Sequence, residues 1–151
     1  MNRDLPVQEL RLSLRIDAPP AAVLQALVDE AIVAAATGKP ARIEAQEQGS
    51  FQILDGRIAG KVLRVADDHV ALRVRMQVAG WPEGAESNVL IQVSPEGPSS
   101  RVLVDQRRIP SPLAIPCDQV WKDEVFTPLR RTLQPEIAHP RLWSPRKVPA
   151  A

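Results

Sequence analysis

Residues 10–28 read LRLSLRIDAPPAAVLQALV, and the order of the fold is set within them. The first seven alternate strictly: Leu10, Leu12, Leu14 and Ile16 take one face, and Arg11, Ser13 and Arg15 the other. That period of two marks a strand with one buried face. Asp17-Ala18-Pro19-Pro20 stops it. A residue ahead of proline is held extended, and proline itself suits the first turn of a helix. From Ala21 the period becomes helical, with Val23, Leu24, Leu27, Val28, Ala31 and Ile32 on one stripe. The Asp29-Glu30 pair in the middle predicts two short helices, and Gly38-Lys39-Pro40 ends the region.

Beyond Pro40 the sequence reads as a meander of strands parted by turn signals. A short strand is expected over 42–45, and strands over 51–54 and 58–65 flank the tight-turn dipeptide Asp55-Gly56. The next strand sets Val70, Leu72, Val74, Met76 and Val78 on one face, with His69, Ala71, Arg73, Arg75 and Gln77 on the other. Residues 87–93 are expected to pair with 101–109 across Ser94-Pro95-Glu96-Gly97-Pro98. A final helix is predicted over 117–133, with Trp121, Val125, Leu129 and Leu133 on one stripe. Pro128 should kink or break it, because an interior proline loses a hydrogen bond and meets the carbonyl of Glu124, costing about 3 kcal/mol. The order is thus β, α, α, about six β, then a long α. It predicts an α+β domain over residues 1–133, a curved antiparallel sheet gripping the C-terminal helix around a cavity. Residues 134–151 hold four prolines and read as an extended tail.

Composition narrows the function. At 151 residues the chain has the length of one domain. Leu, Ile, Val and Phe make up 42 of the 151 residues, enough apolar material for a core. With 19 basic and 18 acidic side chains the net charge is +1, so no nucleic-acid or membrane partner is expected. The longest charge-free stretch, residues 18–28, falls short of the roughly 20 residues a bilayer needs. The N-terminus lacks the apolar run of a signal peptide, so a cytoplasmic location is expected. Cys117 is the one cysteine, which rules out an internal disulfide framework and argues against a zinc site. The aromatics are Phe51, Trp81, Trp121, Phe126 and Trp143, too few for stacking platforms.

No residue set reads as catalytic or metal-binding, and no cofactor motif is present. His69 beside Asp67 and Asp68 fits a turn at a strand end, and His139 has no partner of metal-ligand spacing. Cys117 near a helix start has no evident base and reads as a small hydrophobe. Gln106 is in phase with Val102 and Val104, so a polar amide points at the core and needs partners there. It either bonds its neighbours or orients a ligand. Arg73, Arg75, Arg101 and Arg107 share the outer face of the sheet, a solvated surface or a seat for an acidic partner. In the tail, Trp143 with Arg141, Arg146 and Lys147 reads as a docking or subunit-exchange arm, giving a homodimer.

Several of these stretches have a familiar order. Gly49-Ser50-Phe51 precedes Leu54-Asp55-Gly56-Arg57-Ile58-Ala59-Gly60; then come Trp81-Pro82-Glu83-Gly84 with Ser87, Gln106-Arg107-Arg108-Ile109-Pro110, and Trp121 with Phe126. Together they resemble the C-terminal domain of the activators of the heat-shock protein 90 ATPase, within the SRPBCC group. The likeness runs from about Leu10 to Leu133 and implies the helix-grip fold of the birch pollen allergen and START domains. Many relatives carry Trp-Arg where this sequence has Met76-Gln77. The tail after Leu133 has no counterpart in the resemblance.

The resemblance and the strand phases imply a non-catalytic module that holds a small hydrophobic ligand between sheet and helix. Its expected walls are Phe51, Val74, Met76, Trp81 and Ile91 from the sheet side and loop. Val104, Gln106, Trp121 and Val125 complete them. The alternative is a co-chaperone-like role through contact with a chaperone. A polyketide cyclase-like enzyme would need an ionisable group inside, for which Arg64 is the one candidate, if the strand bulges near Gly60. A cavity of about 300 Å³ or more favours the ligand; a packed interior favours the interaction.

Overall fold

A computed structural model describes residues 6–66 and 71–134. The expectations placed on His69, Asp67, Asp68, Val70, His139 and the arm around Trp143 lie outside the described residues. Strand β1 (Val7–Ile16) is followed by α1 (Pro20–Val28) and α2 (Glu30–Thr37). Then come β2 (Arg42–Ile43), β3 (Ser50–Ile53), β4 (Ile58–Ala66), β5 (Ala71–Val78), β6 (Ser87–Glu96) and β7 (Ser99–Pro110). The C-terminal helix runs as α3 (Ala114–Gln119), a π-helical segment (Val120–Phe126) and α4 (Thr127–Leu133). All seven strands form one antiparallel sheet in the order β1-β7-β6-β5-β4-β3-β2, so the first strand pairs with the last. The fold is the α+β helix grip.

The helix pair divides at Asp29 for a local reason. Its carboxylate accepts from the Ala31 and Ile32 N–H groups at 2.9 and 3.2 Å, capping α2 where α1 ends. Val23, Leu24, Ala26 and Leu27 of α1 are buried with the inward residues of the strands. Leu72, Val74 and Met76 point in from β5, and Val89, Ile91 and Val93 from β6. Arg73, Arg75 and Gln77 point out.

Two bulges rephase the strands. Between Val62 and Arg64 the register with β5 shifts, which turns Leu63 and Arg64 both outward and sets Arg64 opposite Arg73. Arg64 is therefore outside the grip, and the one candidate ionisable group for an interior enzyme site is removed. On β7, Arg107 and Arg108 both stand against Glu9, with Arg108 at φ 66°, so the inward row passes from Gln106 to Ile109. The β6–β7 turn is tighter than expected: Glu96 pairs with Ser99, leaving Gly97 and Pro98 as its tip.

The expected break at Pro128 becomes a change of winding. The Thr127 N–H reaches back five residues to the Lys122 carbonyl, and Pro128 falls in the first turn of α4, where its missing N–H is tolerated. The helix also begins earlier than predicted, at Ala114.

Gly60 shows why the sheet accepts one residue type at its closest approach. A Cβ there would lie 1.8 Å from the Arg75 carbonyl oxygen and 2.7 Å from the Met76 Cα, atoms of the paired strand that cannot swing aside. Gly60→Ala should cost at least about 2 kcal/mol, seen as a fall in Tm of roughly 4–8 °C in thermal unfolding. An unchanged Tm would contradict the β4–β5 register.

Candidate functional site

Gln106 lies on the inward face of β7 with no exposure at all. Its Nε2 donates to the Ser87 hydroxyl at 2.8 Å, and its Oε1 accepts from the Trp121 indole N–H at 2.8 Å. Ser87 in turn donates to the Met76 carbonyl at 3.3 Å. The chain of bonds thus crosses β5, β6 and β7 and ends on the C-terminal helix. Every link is buried, so each is electrostatically stronger than in water and each loss would leave a dry polar atom. The Trp121 ring stacks in a tilted arrangement with Phe126, centroids 5.8 Å apart, which fixes the indole from its other side. Gln106 therefore bonds side chains across the sheet.

A second tie holds the far end of the helix. Gln134 accepts from the Asp17 N–H at 2.7 Å, and the Arg130 guanidinium donates to the Arg15 carbonyl at 3.0 Å. Ser99 donates to the Asp17 carboxylate at 2.6 Å and, with Arg15, holds it below the usual carboxylate range.

The space beneath the helix is filled. Phe51, Ile91, Trp121 and Val125, with Leu72 and Leu129, close it to about 10 Å³, room for one water at most. Val74 and Val104 are packed in the same core. A larger hollow, about 220 Å³, opens at the end of the grip between the Trp81 loop and the helix. Met76, Trp81 and Trp121 line it, together with Val78, Cys117 and Val120. The nine expected wall residues thus divide. Met76, Trp81 and Trp121 meet at the mouth, Phe51, Ile91, Trp121 and Val125 line the filled interior, and Val74, Val104 and Gln106 border neither space.

At the rim Arg57 donates to Glu124 at 2.7 Å, pinning the β3–β4 turn to the π-helical segment. The sequence holds no signal for this contact, because Glu124 lies 67 residues away. Burial pushes the Cys117 thiol up to about 11, so at neutral pH it is uncharged and a poor nucleophile. Among the described residues no cluster of three His, Cys, Asp or Glu side chains could hold a metal, and no single helix is long and apolar enough to cross a membrane.

A family profile described as "Activator of Hsp90 ATPase homolog 1-like protein" matches residues 17–134. The chain belongs to that family. It is 24% identical over 129 residues to the mouse "Activator of 90 kDa heat shock protein ATPase homolog 1", a match covering 85% of this chain. The chain spans 38% of that relative's length. Among solved structures, an HSP90 activator from Plasmodium falciparum superposes with a TM-score of 0.73 at 16% identity, covering 86% of this chain and 94% of the other. CalU16 from Micromonospora echinospora gives 0.70 at 20% identity, covering 87% and 80%. These likenesses share the fold. The mouth hollow lies against Met76, an unbranched and flexible side chain.

The buried chain makes a sharp prediction. Gln106→Leu strands the indole N–H, and Trp121→Phe strands the amide oxygen, so each should cost about 2 kcal/mol or more in urea unfolding. The double variant should lose less than the two together by about 1 kcal/mol or more. Strict additivity would show that the bonds carry no weight.

Proposed function

We propose that this domain works by binding a protein partner, as a co-chaperone-like module that changes the ATP turnover of a heat-shock protein 90-type chaperone without chemistry of its own. One observation carries this reading: the grip that would house a ligand is closed to about 10 Å³ by its own side chains. A domain filled in this way offers its surfaces. Family membership supports the choice of partner.

The mouth hollow favours a second reading. At about 220 Å³ it lies below the usual range for drug-sized ligands but above the roughly 150 Å³ that takes benzene. A ligand there would be a one-ring or short branched apolar molecule, held by Met76, Trp81 and Trp121. On this reading Phe51, Val74, Ile91, Val104, Gln106 and Val125 belong to the packed core and do not touch the ligand.

The test measures ATP hydrolysis by a purified heat-shock protein 90-type chaperone from the same cell as the domain is titrated in. The expected result is a saturable change in turnover, with no hydrolysis by the domain alone and a bare mass for the domain in native mass spectrometry. Unchanged turnover together with an extra mass released on denaturation would overturn it in favour of the mouth ligand.

A further inference from the structure

We propose that the outer face of β4 and β5 is a docking surface for an acidic, extended protein segment; this rests on the interaction reading above and adds the chemistry of the partner. Four exposed cations stand there: Lys61 and Arg64 on β4, Arg73 and Arg75 on β5. The register places Lys61 opposite Arg75 and Arg64 opposite Arg73. Like charges directly opposed across strands destabilise a sheet. None of the four makes an ion pair among the described residues.

The rest of the same face is arranged differently. Arg101 pairs with Glu96 at 2.9 Å, and Asp105 takes Arg107 at 3.3 Å and Arg11 at 3.7 Å. Among the described residues, acids pair with the cations on the β7 side and with none of the four on β4 and β5. The bulge at Leu63 adds to the imbalance, because it turns Arg64 out to meet Arg73. A local rule broken without compensation inside the fold marks a place where function sets the sequence.

The shape fits a chain laid across the strands. Two depressions of about 520 and 410 Å³ meet at Leu63; Lys61 and Arg75 border the first, and Arg73 and the Arg107–Asp105 pair the second. Glu86 also borders the first and makes no ion pair among the described residues. Leu63 and Leu90 are half-buried between the cations and offer apolar contact. Phe51, Trp121 and Phe126 are buried in the core and Trp81 lies at the mouth, so none of these rings is on this face to stack bases. Carboxylates interleaved with apolar side chains match this surface; a nucleic acid does not.

The probe is a fluorescent peptide of about twelve residues of Glu, Asp and Leu, long enough to cross the sheet. Its controls are the same peptide with Gln and Asn for the acids, and a single-stranded RNA of equal length. The acidic peptide should bind saturably, weaken at least about tenfold in high salt, and weaken similarly with Arg73→Glu/Arg75→Glu. The neutral peptide should not bind. The milder Arg73→Gln/Arg75→Gln should also lose the peptide while its Tm rises by roughly 1–3 °C, since the opposed charges are relieved. No binding by the acidic peptide, equal binding by the charge-reversed domain, or tighter binding of the RNA would overturn the proposal. The chaperone assay separates the two inferences. Wild-type turnover effects with the reversed domain would sink this surface alone, whereas peptide binding without any turnover effect would sink the co-chaperone reading and leave the surface standing.

Discussion

A single buried amide holds the architecture together. Gln106 can sit among Val102, Val104 and Ile109 because both ends of its side chain are met, by Ser87 and by the Trp121 indole. This requirement fixes more than a local contact. The indole must present its N–H to the sheet, which sets the rotation of the C-terminal helix. The Ser87 hydroxyl must face inward at the start of β6, which fixes how the Trp81 loop delivers the chain. Apolar packing alone would tolerate several rotations of the helix; an unmet amide in a dry core would not.

From that constraint the rest of the interior follows. With Trp121 drawn to the sheet, Val125 and Leu129 fall over Phe51, Ile53 and Leu72, and the space between is closed. The π-helical winding from Val120 to Phe126 brings Trp121, Val125 and Phe126 to the core together, and it receives Pro128 without ending the helix. What remains open is the mouth, which Met76 lines. On the outer face, the cations of β4 and β5 are unpaired among the described residues, in contrast to the paired charge of β7 and β1.

Much of this was legible in the residues. The alternation of 10–16, the division of the helices at Asp29, the turn at Asp55-Gly56 and the inward phase of Gln106 each rest on local patterns, and each is found. The bulges at Leu63 and at Arg107-Arg108 were not legible, because a bulge is defined by the partner strand. The break expected at Pro128 became a π-helical turn for a similar reason: the helix is held at both ends by the sheet, so the chain rewinds. Pro95 read as part of a loop, yet it lies in β6 beyond Gln92, the last described residue of that strand paired with β5. For the site, the amide could be placed but its partners could not, since Ser87 and Trp121 lie 19 and 15 residues away. Whether the grip was hollow was not in the sequence at all. Volume is a property of how side chains meet.

The most direct test is hydrogen exchange at the indole N–H of Trp121, followed by NMR with Trp81 as the internal comparison. If the Gln106 bond organises the fold, the Trp121 indole proton should exchange as slowly as the most protected backbone amides of β6 and β7, through global unfolding. The half-exposed Trp81 proton should exchange far faster. Rapid exchange at Trp121, comparable to Trp81, would mean that the helix lifts from the sheet in the native state, and the closed, amide-clamped grip would be wrong.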